Sequence, residues 1–226
     1  NASDSVLVIE RAYGLCLELP ETRYDLITLS GAWSRERELI RRPLAMGEQG
    51  VSSLKGATSL HNSNMLFLAR PETTEAQGEA IGAALVYSGN FKASVHVDHN
   101  RFSRVYLGLN DVDFAWKLTP GETFHTPEAV VVYSADGLDG MSVQFHRVCA
   151  EHLVRGKYAH APRPILLNNW EATYFGFNDE KLVKIAKTAA DVGVELFVLD
   201  DGWFGHRDDD SPSLGDWYVD KNKLPL

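Results

Sequence analysis

The sequence predicts an antiparallel β domain followed by the first β-α-β unit of an α/β domain. Three observations predict it. Residues 5–135 carry short β-branched and aromatic runs broken at regular intervals by turn residues. Residues 138–156 change to a three- and four-residue period. Residues 162–201 then read strand, helix, strand.

Within the first region the strand-like runs are 24–29, 65–69, 85–87, 93–97, 105–109 and 129–133. Between them stand Ser88-Gly89-Asn90, Asp98-His99-Asn100-Arg101, Pro120-Gly121-Glu122 and Asp136-Gly137. Such spacing is that of a sandwich. Residues 94–98 and 104–107 alternate polar and apolar, as half-exposed sheet does. The most basic stretch, SRERELIRR at 34–42, has Glu36 and Glu38 interleaved. It reads as a solvated or salt-bridged element and not as a phosphate tracker.

The next segment places Met141, Phe145, Val148, Cys149, His152 and Leu153 on one helical face. Asp139 is expected to cap its start and Gly156 its end. His146 and His152 are expected to face carboxylates or solvent. Pro162 and Pro164 punctuate the chain. Ile165, Leu166 and Leu167 form a strand leading into Asn168-Asn169-Trp170-Glu171. A helix follows, with Asn178 as N-cap, Asp179 and Glu180 in its first turn, and Leu182, Ile185, Ala186, Ala189 and Ala190 as its buried stripe. Gly193 ends it.

The final strand, LFVL at 196–199, is apolar throughout, as a strand covered on both faces should be. It ends on Asp200 and Asp201, followed by Gly202 and Trp203. Two adjacent carboxylates are costly to bury unless hydrogen bonds meet them. Strand carboxyl ends are also where α/β folds hold ligands. The pair therefore has two readings, a turn cap or a ligand site. A βαβ crossover implies parallel strands and a larger sheet. The 65 residues at 162–226 hold two βα units at most, against about 250 residues for a complete eight-stranded barrel. The domain is expected to be cut short. The organisation expected is 1–137 as the β domain, 138–161 as linking helix and linker, and 162–226 as the opening of the barrel.

Composition excludes several functions. The net charge of −9 and the lack of a basic block argue against nucleic-acid and anionic-membrane partners. Cys16 and Cys149, without CxxC spacing, make neither a disulfide framework nor a structural zinc site. No apolar run approaches the ~18 residues of a membrane span, and a cytoplasmic address is expected. Arg207-Asp208-Asp209-Asp210 lacks the ligand spacing of a calcium loop. It reads as a solvated acidic turn or a partner for Arg207, and no metal is expected. His61, Asn62 and Asn64 form a polar cluster that turn chemistry explains.

The stretch from PRPILLNNWEATYF to LFVLDDGWFGHRDDD closely resembles the start of the catalytic barrel in family 36 α-galactosidases. Upstream, LSGAWSRERELIRRPL, GATSLHNSN, GEAIGAALVYSGNF and LTPGETFHTPEAVVVYS resemble that family's amino-terminal β-supersandwich. The resemblance implies a partial supersandwich followed by the first βαβ of a (β/α)8 TIM barrel. It implies retaining hydrolysis of terminal α-linked galactose from raffinose- or melibiose-type oligosaccharides, without a cofactor, in a homo-oligomeric, tetrameric parent. It implies that Asp200 and Asp201 bind galactose on the O4 and O6 side of the ring. Trp170 is implied at the substrate pocket, with filling of the barrel top as the alternative. Trp33, in GAWSRE, is implied to reach the substrate, with a core or interface role as the alternative. The nucleophile and the acid/base are expected on later strands, so no catalytic residue is expected among these 226. Retaining glycosidases need two carboxyls about 5–5.5 Å apart across the scissile bond. Neighbouring side chains at one strand end diverge and suit hydroxyl recognition instead. α-N-Acetylgalactosaminidase, galactosyl transfer on the same fold, and a non-catalytic carbohydrate-binding or assembly role are the alternatives.

Overall fold

A computed structural model describes residues 1–58 and 60–225. Ser59, within the GATSLHNSN stretch, and Leu226, the last residue of the expected barrel segment, lie outside the described residues. The chain divides into two compact units, Asn1–Leu153 and Val154–Leu226.

The first unit is an antiparallel sandwich with a helix on one face. Its strands are β1 (Leu7–Ile9), β2 (Tyr13–Leu19), β3 (Asp25–Ala32), β4 (Arg35–Pro43), β5 (Gly47–Ser52), β6 (Asn62–Ala69), β7 (Ala80–Val86), β8 (Phe91–Val97), β9 (Ser103–Leu109), β10 (Trp116–Leu118) and β11 (Glu128–Ser134). A five-stranded sheet runs β11-β7-β6-β3-β4 and a four-stranded sheet runs β2-β9-β8-β5, with β1 and β10 as a separate ribbon. The period of two sorts each central strand between two cores. Leu26, Leu66, Leu68 and Leu85 meet Phe91, Val95, Val105 and Leu107 of the other sheet. Their neighbours Ile27, Phe67 and Ala69 face the opposite way, onto Leu138, Met141 and Phe145 of helix α1 (Gly137–Val148). Coverage on both faces explains why β3 and β6 read as continuous apolar runs. Each such side chain contributes about 1.5–3 kcal/mol by burial, against about 0–1 for an exposed ion pair, so these two cores dominate the unit.

The arginine-rich stretch is the edge strand β4, exposed along nearly its whole length. Charge there discourages pairing with other chains. Arg41 alone turns inward, its Nε 2.7 Å from Asp25 Oδ2 and its other nitrogens donating to the carbonyls of Thr73 and Arg70. The β3–β4 hairpin turns at Trp33 and Ser34, and the strand expected at 85–87 begins earlier, at Ala80, and ends at Val86.

Helix α1 differs from its expected ends. Its N-cap is Asp136, with no side-chain cap bond, and Asp139 sits inside the first turn. The entry is made instead by Gly137, at φ +73°, where a Cβ would strike the Glu75 carbonyl. After Val148 the helix widens into one π turn, Cys149–Leu153, and stops short of Gly156. The helix expected to link two domains packs on the five-stranded sheet, close enough that a Cβ at Gly82 would meet the Phe145 ring.

The second unit holds β12 (Leu166–Asn168), α2 (Trp170–Thr173), α3 (Asp179–Asp191) and β13 (Leu196–Val198). β12 and β13 pair in parallel, Leu166 opposite Leu196 and Asn168 opposite Val198. α3 begins as expected, with Asn178 Oδ1 accepting from the Lys181 N–H at 3.0 Å. It ends before Gly193, at φ +91°. Leu182 and Ala189 are buried, whereas Ala190 is exposed. At about 100° per residue Ala190 lies roughly 80° around the helix from Leu182, outside the buried stripe. Phe177, Leu182 and Leu224 form the core, with Phe197, Leu199 and Trp203 against it.

Candidate functional site

The site lies in the second unit, at the carboxyl ends of the two parallel strands. β12 ends on Asn168 and the chain enters α2 through Asn169 and Trp170. β13 ends at Val198, two residues before Asp200. Asn169 is fully buried and joins the two strand ends. Its N–H donates to the Val198 carbonyl. Its Oδ1 accepts the Asp200 N–H at 2.7 Å and its Nδ2 donates to Thr173 Oγ1 at 2.8 Å.

Asn168 connects two of the expected site residues. Its Oδ1 accepts the Trp170 N–H at 2.8 Å, and its Nδ2 donates to Asp200 Oδ2. The second Asp200 oxygen, Oδ1, accepts the Asp201 N–H at 2.8 Å. An ionised carboxylate oxygen accepts about two hydrogen bonds, so each Asp200 oxygen keeps one acceptor position.

Asp201 turns the other way. Its Oδ1 accepts from the Gly202 N–H at 2.7 Å and from Arg207 Nε at 2.6 Å. Its Oδ2 accepts no hydrogen bond from the described residues. Arg207 is only 4% exposed. It also donates to the carbonyls of Pro212 and Asp210, with Phe175 and Phe204 rings 5.7 and 5.8 Å from its guanidinium carbon. The Arg207 guanidinium holds the Asp201 carboxyl below the usual range, against burial, with help from the Gly202 N–H. The two carboxylates thus diverge, one onto an amide and one onto a buried cation.

Gly202 makes this turn possible. Its φ is +87°, and a Cβ would lie 2.8 Å from Phe175 Cδ1. Lys223 ties the loop down, donating to the Gly202 and Arg207 carbonyls and pairing with Asp208 at 2.8 Å. Asp209 bonds Ser211. The acidic turn is therefore spent on internal partners, and among the described residues no cluster of three or more His, Cys, Asp or Glu is arranged for a metal.

The Trp170 ring is half-buried, edge-to-face with Tyr174 at 5.3 Å and Phe175 at 4.9 Å. Tyr174 holds a left-handed φ of +47° at the end of α2, a conformation costly for an aromatic residue. Next to the carboxylates an open cleft of about 460 Å³ is lined by Asp200, Asp201, Trp203, Phe204, Leu214 and Trp217. The structure therefore places Asp200, Asp201 and Trp170 in one unit, with Asn168 bonding the Asp200 carboxylate and the Trp170 N–H. Trp33 belongs to the first unit, 85% exposed at its hairpin tip. Asn168, Asn169 and the Asp201–Arg207 pair were not singled out by sequence. The Asn-Asn dipeptide between strand and helix was the available signal for the first two.

Comparison with known proteins bears on the same residues. The family model "Glycosyl hydrolase family 36 N-terminal domain" matches residues 1–119, and the model "Melibiase" matches 123–226. The alpha-galactosidase AgaA of Geobacillus stearothermophilus is 51% identical over 225 residues. The alpha-galactosidase Mel36A of Lactobacillus acidophilus is 44% identical over 225. In both cases all of this chain is covered, and it spans 31% of the relative's length. The crystal structure of the Geobacillus AgaA superposes with a TM-score of 0.96 over the whole chain, again 31% of that protein. Variants of that enzyme have been solved in complex with raffinose and with stachyose. The amino-terminal model alone accounts for more than half of the residues, and the relatives extend the match through the strand ends that carry the carboxylates: the chain belongs to glycosyl hydrolase family 36.

Proposed function

We propose that this chain is part of a retaining α-galactosidase acting on terminal α-linked galactose of raffinose- or melibiose-type oligosaccharides, and that Asp200, Asp201 and Trp170 hold the galactose ring. The sandwich is then part of a β-supersandwich, and β12-α3-β13 is the opening of a (β/α)8 barrel. The nucleophile and the acid/base belong, on this reading, to strands outside these 226 residues. The reading extends to a tetrameric parent in which Trp33 reaches a substrate, and to a cytoplasmic address.

One observation carries the proposal: two ionisable carboxylates at one strand end, aimed apart, each with acceptor capacity left over. Asp200 is steered by Asn168 and Asp201 by Arg207. Neither arrangement flanks a glycosidic bond, and both suit sugar hydroxyls, which donate strongly to ionised carboxylates. Trp170 offers a ring face for the apolar side of the pyranose and an indole N–H for a hydroxyl. A site that fixes an axial O4 leaves polar groups unpaired when the epimer binds, which gives selectivity for galactose over glucose.

The test is Asp200→Asn and Asp201→Asn in the complete protein, assayed with an aryl α-galactoside. Losing one charge-assisted bond of roughly 3 kcal/mol lowers kcat/KM on the order of 100-fold. Near-normal turnover in either variant would sink the assignment of that residue.

A further inference from the structure

We propose that Tyr174 is a positioning residue for the sugar site: it adopts a backbone suited to glycine so that its ring, with that of Phe175, fixes the tilt of the Trp170 indole. The inference rests on the reading that Trp170 holds the galactose ring, and adds the residue that holds Trp170.

The first observation is a backbone that the residue type opposes. The Gly176 N–H donates to the Thr173 carbonyl at 3.0 Å, closing a four-residue turn around Tyr174 and Phe175. Tyr174 stands at φ +47° and ψ −132°. These angles lie near the type II′ values for the first central residue, about +60° and −120°, where glycine is the usual occupant. Hydrogen bonds hold the residue there. Its N–H donates to the Trp170 carbonyl at 2.7 Å, and its carbonyl accepts from Thr173 Oγ1 at 3.3 Å. Strain of this kind persists only where the surroundings over-determine it, and it gathers at ligand clamps.

The second observation is what the turn does with its two rings. Successive side chains point to opposite faces of a strand and about 100° apart on a helix. In this turn both central residues meet one partner. The Tyr174 ring lies 5.3 Å from that of Trp170 at 84°, and the Phe175 ring lies 4.9 Å from it at 88°. Perpendicular aromatic pairs gain beyond the area they bury, and two of them restrict the indole together. Tyr174 gains little else. It is 54% exposed, and its hydroxyl reaches Glu171 Oε2 only at 3.5 Å. Burial therefore does not account for a tyrosine at a glycine position, whereas the contact with Trp170 does.

Phe175 carries the arrangement across to the carboxylate. Its ring lies 5.7 Å from the Arg207 guanidinium carbon, and a Cβ at Gly202 would come within 2.8 Å of its Cδ1. Arg207 in turn donates to Asp201. Trp170, Phe175, Arg207 and Asp201 form one chain of contacts, and Tyr174 holds its exposed end.

The experiment compares Tyr174→Gly, Tyr174→Ala and Tyr174→Phe in the complete protein, by steady-state kinetics on an aryl α-galactoside and by hydrogen exchange of residues 170–176. The Gly and Ala variants lose the ring and should raise KM about three- to tenfold, as for one edge-to-face pair, with kcat changing less. The Phe variant restores the ring and should return KM to within about twofold of the native value. Exchange reads the backbone separately. The Gly variant should exchange about tenfold more slowly than the Ala variant, the reverse of the order at an unstrained position. An unchanged KM in the Gly variant, an equal KM in the Gly and Phe variants, or faster exchange in Gly than in Ala overturns the proposal. Trp170→Ala tests the reading beneath it. If that variant keeps the native KM, Trp170 does not hold the sugar and the positioning role falls with it. If it raises KM while Tyr174→Gly does not, the role of Tyr174 falls alone.

Discussion

Asp201 is held by a cation that water scarcely reaches. Arg207 is 4% exposed and spends its Nε on this carboxylate and a terminal nitrogen on carbonyls. Removing one partner of a buried pair leaves the other charge uncompensated, at about 3–5 kcal/mol. Asp201→Ala should therefore unfold the second unit at distinctly lower urea, and its loss of activity would confound binding with folding. Asp201→Asn keeps an acceptor for Arg207 and separates the two. The pH dependence follows from the direction of the shift. The folded carboxyl titrates below the unfolded value of about 3.9, so its contribution is fully present above that value and is lost as pH falls through the lower folded one. Urea midpoints of the native protein and Asp201→Asn should differ at pH 7 and converge toward pH 2. A constant difference across that range would exclude Asp201 as the titrating group.

At the scale of elements, α2 is a single turn that cannot persist alone. Asn169 pins it, bonding the Asp200 N–H on one side and Thr173 on the other. Asn169→Ala strands the part-buried Asp200 N–H and leaves the Thr173 hydroxyl only its bonds to the Asn169 and Tyr174 carbonyls. It should cost about 2–4 kcal/mol in urea unfolding and, on the proposed function, lower galactoside turnover in the complete protein by displacing the Asp200 backbone while leaving the proposed sugar-binding side chains unchanged. Asn169→Asp, which retains the acceptor, should recover part of the loss, and failure to do so would deny the role of the Asp200 N–H bond. The tie to Asp200 is invisible in sequence because it joins residues 31 positions apart. That the carboxylates and Trp170 stand at strand ends was legible, since strand ends are local. Arg207 as the Asp201 counterion was not, because it requires the loop to fold back over Gly202. Among strands, the apolar runs of β3 and β6 and the alternation of β8 and β9 announced themselves. β5, with sequence GEQGVS, did not, because an edge strand with two glycines shows no hydrophobic alternation. β4 was hidden by its charge, the same property that protects its edge.

Across the whole molecule the two units differ in how completely their sheets are covered. In the first, β3 and β6 carry one core on each face and are hydrogen-bonded on both sides. In the second, two three-residue parallel strands form the whole sheet, with Leu166 and Leu196 at 52% and 42% exposure. A groove of about 560 Å³ along α3, lined by Leu167, Ile185, Ala189, Val192 and Val194, is open to solvent. Amide protection follows burial and hydrogen bonding on both sides of a strand, and sparsely covered segments open locally at low free energy. Hydrogen exchange on the 226-residue chain should therefore find the slowest amides in β3, β6 and β8, and much faster exchange in β12 and β13. The apolar sequence of β13 points the other way, since LFVL reads as strongly buried strand as anything in β6. Equal protection of β6 and β13 would show that the apolar run itself sets local stability. Fast exchange at β13 would show instead that coverage sets it, and that the apolar run of β13 is written for neighbours beyond its single paired strand.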